Sequence, residues 1–284
     1  MIDLQIHTTD SDGTWPWDQA LQHCLAMGLT AYAITDHDTI LRQEQIRNWA
    51  KKNKALAIPG VEMSTNDKGQ TVHLLGYFLE GPLDKLESEL VKLRAARNER
   101  NSKIIGKLQQ FGFKVTDQDL EAIAGRGSVG RPHIARLLFE RRYVQSMKEA
   151  FDRFLAVGAQ AYFPKEEIPL RDGIDLLHGA GAVTSVAHPL LMNRPMEELE
   201  GVLDEWRGWG LDAIEAIYAS YRPEQSIYLQ RLAQKHDLLI TGGSDFHGEN
   251  KPQINIGVGM GDLNVPDAVL EPLLARKDQI LSQI

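Results

Sequence analysis

The chain has 284 residues, of which 43% are hydrophobic and 25% charged, a composition typical of a folded globular protein rather than a disordered one. Its formal charge of −8 argues against a protein that coats long nucleic acid. No basic segment precedes an apolar run at the start, and no stretch reaches the roughly 18 apolar residues of a membrane span, so we expect no membrane partner. A single cysteine, Cys24, suits a reducing cytoplasm.

Short β-rich apolar runs alternate with helical patterns at both ends of the chain. The first 80 residues hold the strand IDLQI, a helix near 16–27, the strand TAYAIT, a helix near 40–52, and the strands ALAIPGVE and TVHLLGYF. After residue 166 the strands AVTSVA, DAIEAIY and LLITGGS alternate with helices near 171–180, 195–208, 223–236 and 266–281. This order predicts an α/β fold with a mostly parallel sheet, open or closed into a barrel.

The middle of the chain behaves differently, because residues 83–163 show helical periodicity without a convincing strand. We interpret 81–165 as a helical insertion, and 1–80 together with 166–284 as the barrel. Residues 83–165 hold 16 Lys and Arg against 10 Asp and Glu, a net charge of +6, whereas the remainder holds 15 against 29, a net charge of −14. An acidic body suits a site that collects cations, and a basic segment beside it suits an anionic substrate.

Residues that can bind metal ions stand at or beside the predicted strand ends. They are His7, Asp12, His37, Glu62, His73, His188, Asp245 and His247. In βα barrels, residues at the carboxyl ends of the strands meet on one face. One such residue alone is more often a helix cap or a hydrogen-bonded loop residue than a ligand, but independent capping does not explain eight of them together.

Histidine and carboxylate ligands without a thiolate favour Mn, Fe or Zn. Eight groups exceed the needs of one ion, so we expect two or three divalent metal ions, with manganese favoured and Glu62 able to bridge a pair. Such a cluster can turn a bound water into hydroxide, hold a phosphate by its oxygens and stabilise the leaving alkoxide. The chain has neither a GxSxG nor a GxxxxGK[ST] motif, which disfavours a serine nucleophile and a P-loop.

The segments DLQIHTTDSDGT, AITDHDT, IPGVEMST with HLLGY, VAHP and GGSDFH resemble the motifs of the PHP (polymerase and histidinol phosphatase) family. The resemblance runs over nearly the whole chain and implies a distorted (β/α)7, TIM-like barrel with up to three metals. It places Gln5, His7, Glu62 and Asp245 around a first metal, Glu62, His73 and His188 around a second, and Asp12, His37 and His247 around a third. The expected catalytic residues are Glu62, His188 and Asp245.

One position departs from that pattern, because the family's opening motif usually reads His-x-His and this chain has Gln5-Ile6-His7. Positions two apart on a strand face the same way, so Gln5 still points at the first site. Its amide oxygen is a weak ligand for a hard cation. We therefore expect the first metal to be labile or absent, while the other ligands keep a site for two ions.

The insertion resembles that of nucleoside 3',5'-bisphosphate phosphatases and related 5'-to-3' exoribonucleases, through RNER at 97–100 and VGRPHIAR at 129–136. Arg97 and Arg100 lie three apart on a predicted helix and can face one side. Arg131 and His133 stand at the start of another helix. Because the planar arginine fork suits phosphate oxygens, these four are the candidate substrate-binding residues. The alternative is that they are solvated surface charges.

The sequence thus predicts a cytoplasmic, metal-dependent phosphoric ester hydrolase that cleaves a small phosphorylated substrate such as a nucleoside 3',5'-bisphosphate, or a short RNA end. The insertion would form a lid over the metals. A histidinol phosphate phosphatase is one alternative, although the basic insertion favours a substrate with more than one phosphate. A non-catalytic PHP module that binds metal and phosphate is the other, supported by Gln5 alone. The sequence leaves the exact substrate and the oligomeric state open.

Overall fold

The computed structural model describes residues 1–124, 127–192 and 194–284. The first half of the barrel contains β1 (Ile2–Ile6), α1 (Trp17–Ala26), β2 (Ala31–Ile34), α2 (Gln43–Asn53), β3 (Ala57–Asp67) and β4 (Gln70–Tyr77). The helices that follow are α3 (Asp84–Gln110), α4 (Asp117–Ala124), α5 (Arg131–Glu140) and α6 (Met147–Ala150), with a π-helical turn at Phe151–Leu155. The chain ends with β5 (Ile168–Pro169), α7 (Leu170–Gly179), β6 (Val183–Val186), α8 (Met196–Gly208), β7 (Ala213–Tyr218), α9 (Pro223–Lys235), β8 (Leu239–Gly243) and α10 (Leu270–Leu281).

Seven strands follow one another around a single sheet in the order β1-β2-β3-β4-β6-β7-β8, and the short β5 pairs with β3 at its side. The segment after β8 returns to β1: the Asp245 N–H donates to the Gln5 carbonyl, and the His7 N–H to the Phe246 carbonyl, both at 2.9 Å. The sheet is therefore a nearly closed barrel. Its distortion is β4, which runs antiparallel to both β3 and β6. The expected (β/α)7 barrel is confirmed.

Apolar side chains form the core on both sides of the barrel wall. Strands β1, β2 and β6 are buried along their whole length, as is usual for parallel strands covered by helices. Outside the wall, Ile174 of α7 and both Leu203 and Trp206 of α8 pack with strand residues such as Leu74 and Ile214. This packing fixes the strand ends that carry the polar residues described below.

The helical insertion has a hydrophobic cluster of its own, which includes Ile134, Leu138 and Phe154. Helix α3 joins the two regions, because its early residue Leu86 packs in the barrel core and its later residue Leu108 in the insertion core. Helix α4 begins at Asp117, and Ser146 caps α6 by accepting a hydrogen bond from the Glu149 N–H. Among the described residues, no helix combines the length and the apolar character needed to cross a membrane.

Candidate active site

The predicted metal ligands lie at the carboxyl-terminal rim of the barrel. His7 directly follows β1, while His188 and Asp245 come two residues after β6 and β8. Glu62, expected at a strand end, instead lies in the middle of β3, so that expectation is wrong. Strand β3 pairs in parallel with β2 as far as Pro59 and from Gly60 onward pairs antiparallel with β4. Glu62 therefore lies level with the other ligands, although the strand continues beyond it.

A hydrogen-bonded loop brings Asp12 to the same rim. Asp36 accepts hydrogen bonds from the N–H and the hydroxyl of Thr8, both at 2.7 Å, and from the hydroxyl of Ser11 at 2.6 Å. Gly13 allows the tight turn, since a β-carbon there would lie 2.3 Å from the His7 carbonyl oxygen. The loop therefore depends on Asp36 and Gly13 as well as on the ligand that it carries.

Glu62 is fully buried at the centre of the ligands. Its Oε1 lies 2.6 Å from His73 Nδ1 and 3.2 Å from His188 Nε2. Its Oε2 lies 2.9 Å from His7 Nε2 and 3.9 Å from His37 Nδ1. The two oxygens face different pairs of imidazoles, which is the arrangement that a carboxylate bridging two cations requires.

Two other carboxylates complete the cluster. Asp12 lies 3.7 Å from His7 Nδ1, 3.8 Å from His37 Nε2 and 3.3 Å from His247 Nε2. Asp245 Oδ1 lies 3.3 Å from His7 Nε2 and 3.5 Å from His247 Nδ1. Among the described residues, three sets of side chains could each hold a metal ion, because the ligand atoms within a set all lie within 4.8 Å of one another. The sets are His7, Asp12, His37 and His247; His37, Glu62 and His73; and His7, Glu62 and Asp245.

Buried polar atoms without hydrogen bonds test whether metal ions suit this cluster. His37 Nδ1 and Gln5 Oε1 are buried and make no hydrogen bond. His7 Nε2 and His73 Nδ1 lie close to Glu62 oxygens, but the angles at these contacts are not those of hydrogen bonds. Such atoms cost free energy unless a partner satisfies them. A cation among the imidazole nitrogens and the carboxylate oxygens would satisfy both, so the donor set fits divalent metals of the kind that bind imidazole and carboxylate.

The pKa shifts agree with a cluster of anionic carboxylates. Burial would raise the pKa of Glu62, but its interactions with the His37 and His73 imidazoles hold it well below its ordinary value. Burial likewise opposes ionisation of Asp12, and its interactions with the His247 and His37 imidazoles lower its pKa. For the imidazole of His37 itself, burial lowers the pKa to about 3. Ionised carboxylates and neutral imidazole are the forms that bind metals.

A cavity of about 390 Å³ lies over these ligands. Its floor consists of Asp12, His37, Glu62, His73, His188, Asp245 and His247. The insertion forms one wall, which includes Pro132, Met147, Lys148 and Phe151, and the barrel loops form the other, which includes Leu191, Tyr218, Asn250 and Lys251. A cleft of this size with polar groups on the floor and apolar walls is typical of a site for a small molecule.

The four basic residues predicted to bind substrate are grouped together, but their contacts differ. Arg97 is buried and donates to Asp38, and to the Ser64 hydroxyl at 3.1 Å. Arg100 is buried and makes no hydrogen bond within the described part of the chain; burial, and then the charges of Arg97 and Arg131, lower its pKa to about 9. Arginine without a partner is rare in a protein interior.

Arg131 and His133 are held by the protein itself. Arg131 donates to the Leu155 carbonyl at 2.9 Å and lies over the Tyr162 ring. His133 Nδ1 accepts from the Gly130 N–H at 3.0 Å. These two residues therefore fix the start of α5 against the rest of the insertion, whatever else they contact.

Three further polar residues were missed by the sequence reasoning. Tyr218, at the end of β7, and Lys251 both bond to Asp245, and Tyr218 could have been found by the strand-end rule. Lys165 leaves only 13% of its side chain exposed and lies 3.4 Å from Glu167. Burial, and then the charge of Arg97, lower the pKa of Lys165 to about 7.

Comparison with known proteins places this site in a family. A family model described as the PHP domain matches residues 3–163. The chain belongs to the PHP family. A 5'-3' exoribonuclease from Haemophilus influenzae is 31% identical over 245 residues, covering 86% of this chain and 89% of the relative. A 3',5'-nucleoside bisphosphate phosphatase from Chromobacterium violaceum is 25% identical over 257 residues, covering 90% of each chain.

A solved structure supports the same placement. A protein from Bifidobacterium adolescentis, proposed to be a metal-dependent phosphoesterase, superimposes with a TM-score of 0.85 at 30% identity, over 97% of this chain and 96% of that one. Together with the buried histidine and carboxylate groups, these matches identify the protein as a metal-dependent phosphoesterase of the PHP family.

Proposed function

We propose that this PHP phosphoesterase hydrolyses the phosphate ester of a small nucleotide that carries a second phosphate, such as a nucleoside 3',5'-bisphosphate, or acts on the end of a short RNA. The observation that carries the proposal is a cationic group in which Arg97 and Arg100 are buried and Arg131 and Lys165 are partly buried. Within this group, Arg100 has no hydrogen-bond partner among the described residues. Relatives described as an exoribonuclease and a bisphosphate phosphatase act on ligands of this chemistry.

The position of this group supports a second phosphate close to the reacting one. Arg97 pairs with Asp38, which directly follows His37 in the chain. The Ser128 N–H, shortly before Arg131 in the chain, donates to the Asp10 carbonyl at 2.8 Å, in the loop that carries Asp12. The cationic group therefore adjoins the side of the cluster formed by Asp12 and His37. Guanidinium groups hold phosphate oxygens through paired hydrogen bonds, so Arg100 is the residue best placed to accept a new anionic partner.

We propose that the ligand residues bind the metal ions and position the reacting phosphate. His7, Asp12, His37, Glu62, His73, His188, Asp245 and His247 would hold two or more divalent ions, with manganese favoured. The bound ions would supply a water of lowered pKa and polarise the phosphoryl oxygens. Glu62 would supply a carboxylate to the ion held with His37 and His73. Asp245 and His188 would fix the positions of the neighbouring metal-ligand side chains, and in this way the orientation of the reacting phosphate.

The cavity walls suit the rest of a nucleotide. Phe151, Met147 and Leu191 line the cavity and contribute an aromatic ring and two apolar side chains to it. Bases stack on aromatic side chains without sequence preference, and apolar walls exclude water from the reacting centre. We propose that residues 81–165 act in this way as a lid, which binds the nucleoside with its apolar residues and the second phosphate with its basic ones.

A phosphate-release screen tests the function. The protein, loaded with manganese, would be given nucleoside 3',5'-bisphosphates, nucleoside monophosphates, sugar phosphates, histidinol phosphate and short 5'-phosphorylated RNA. We expect the highest kcat/KM for a bisphosphate or for the RNA. A clear preference for histidinol phosphate would contradict the proposed substrate while leaving the phosphoesterase chemistry intact.

A further inference from the structure

The three ligand sets at the barrel rim differ in one respect: one of them already contains a cation of the protein. Asp245, in the set with His7 and Glu62, accepts a hydrogen bond from Lys251 Nζ at 2.5 Å on its Oδ2. The same oxygen accepts from the Tyr218 hydroxyl at 2.6 Å. Within residues 1–124, 127–192 and 194–284, neither Asp12 nor Glu62 forms an ion pair with a lysine or an arginine.

The second carboxylate of this set also has a donor from the protein. Gln5 Nε2 donates to Glu62 Oε2 at 2.9 Å, the oxygen that lies 2.9 Å from His7 Nε2. Gln5 thus presents an N–H donor, not a ligand atom, to the carboxylate. Both acidic members of the set therefore have N–H donors from the protein. The donor to Glu62 binds Oε2, the oxygen nearest His7, and the donors to Asp245 bind Oδ2, beside the Oδ1 that faces His7.

The position of the ammonium group explains how it would act. Lys251 follows Asp245 by six residues and lines the cavity over the cluster. Like charges repel strongly where water is scarce, so an ammonium group bonded to Asp245 disfavours a divalent ion bound to the same carboxylate. It also neutralises part of the negative charge that Asp245 and Glu62 would otherwise leave uncompensated.

We propose that Lys251, together with Gln5, takes the place of a metal ion in the set of His7, Glu62 and Asp245, so that the protein holds two divalent ions and not three. The two ions occupy the set around Asp12 and the set of His37, Glu62 and His73, with His188 joining through Glu62 Oε1. This inference rests on the proposed function only in requiring that the cluster binds metals, and not on the identity of the substrate.

Counting bound metal tests the inference without measuring activity. The full-length protein would be stripped with a chelator, loaded with Mn²⁺, freed of excess ion and analysed for manganese per chain. Four forms are compared: the wild type, Gln5→His, the double variant Gln5→His with Lys251→Met, and Lys148→Met as control. Lys148 also lines the cavity, but it pairs with Asp152 at the surface. Circular dichroism would show that each form is folded.

We expect two manganese ions per chain in the wild type, in Gln5→His and in Lys148→Met, and three in the double variant. Three ions in the wild type, or only two in the folded double variant, would overturn the proposal. Three ions in Gln5→His alone would also overturn it, because Lys251 would then not oppose the metal. Should the double variant not fold, this single variant still decides the role of Lys251. A failed substrate screen with the expected metal counts would refute only the substrate proposal.

Discussion

The barrel rim carries mainly carboxylates and imidazoles, whereas the insertion beside it carries a group of cations, and in each region some buried charges have no partner of opposite sign. At the rim, Glu62 and Asp12 form no ion pair with a lysine or an arginine among the described residues, and their close neighbours include four histidines. In the insertion, Arg100 makes no hydrogen bond within the described chain. Lys165 lies 3.4 Å from Glu167 but keeps a strongly lowered pKa because it is buried.

A third ionic group shows what a purely structural arrangement looks like in the same molecule. Asp212, directly before β7, accepts from the N–H and hydroxyl of Thr184, from Arg276 and from the His178 ring, all within 2.9 Å. Every oxygen of this carboxylate is satisfied by the protein. The comparison indicates that a buried charge with a structural role is paired internally. The unpaired charges of the rim and of the insertion agree with the proposal that the first binds metal cations and the second a phosphate anion.

The largest effect is expected at the rim. In Glu62→Gln, the amide keeps the size of the side chain but removes the charge that faces two pairs of histidines. Losing metal-ion stabilisation of a few kcal/mol would lower kcat/KM by roughly 10³-fold. The measurement is manganese-dependent phosphate release together with thermal unfolding. Because Asp212 is structural, Asp212→Asn should instead lower the unfolding temperature while leaving kcat nearly unchanged. Full activity in Glu62→Gln would contradict the distinction between a metal-binding Glu62 and a structural Asp212.

Much of the rim was predictable from sequence, for a physical reason. In a barrel of parallel strands the residues after each strand converge, so His7, His188 and Asp245 could be brought together from their positions alone. Glu62 was placed in the right cluster but wrongly at a strand end. The antiparallel hairpin of β3 and β4 extends the strand beyond the rim, and a local hydrophobic pattern does not show where a strand changes its partner.

The contacts of the basic residues were less predictable. Arg97 could be assigned to one face of a helix, but its partner Asp38 is 59 residues away in the chain. The burial of Lys165 depends on β5, a pair of residues that joins the side of β3. Arg131 proved to be bonded to a backbone carbonyl. Side-chain pairing of this kind arises from packing between distant elements, and periodicity carries no information about it.

A second prediction compares the pH dependence of stability at Lys165, which is largely buried, with that at a surface lysine. Burial lowers its pKa from 10.5 to about 7 in the folded protein. The charged lysine therefore destabilises the folded protein most below pH 7, and this destabilisation disappears as the pH rises toward 10.5. Lys165→Met should therefore increase the free energy of unfolding at pH 6 by a few kcal/mol, because each pKa unit of the shift corresponds to about 1.36 kcal/mol. The gain should shrink by pH 9.5. Urea unfolding at the two pH values measures it.

The control for Lys165→Met is Lys148→Met, whose side chain is 82% exposed. This variant should change the free energy of unfolding little, and by the same amount at pH 6 and pH 9.5. An equal effect of Lys165→Met at both pH values would mean that Lys165 is solvated or well paired in the folded protein. The insertion would then lack one of the uncompensated charges that distinguish it from the Asp212 group.

The third prediction is the smallest in free energy and the most specific for substrate. In Arg100→Ala the fold loses no hydrogen bond that the described residues make, so stability should not fall. A bound second phosphate would lose a charge-assisted hydrogen bond of about 1.5 to 3 kcal/mol, or roughly 10 to 150-fold in kcat/KM. Kinetics on a nucleoside 3',5'-bisphosphate and on p-nitrophenyl phosphate would show this loss for the first substrate only.

Two further arginines sharpen the third prediction. Arg136 lies on α5 and pairs with Glu140 at the surface, so Arg136→Ala should leave both substrates unaffected. Arg131→Ala removes the bond to the Leu155 carbonyl and the contact with Tyr162. It should therefore lower stability as well as weaken the bisphosphate. Equal losses on both substrates in Arg100→Ala would place Arg100 at the reacting phosphate, and the insertion would then contribute to the chemical step and not to the choice of substrate.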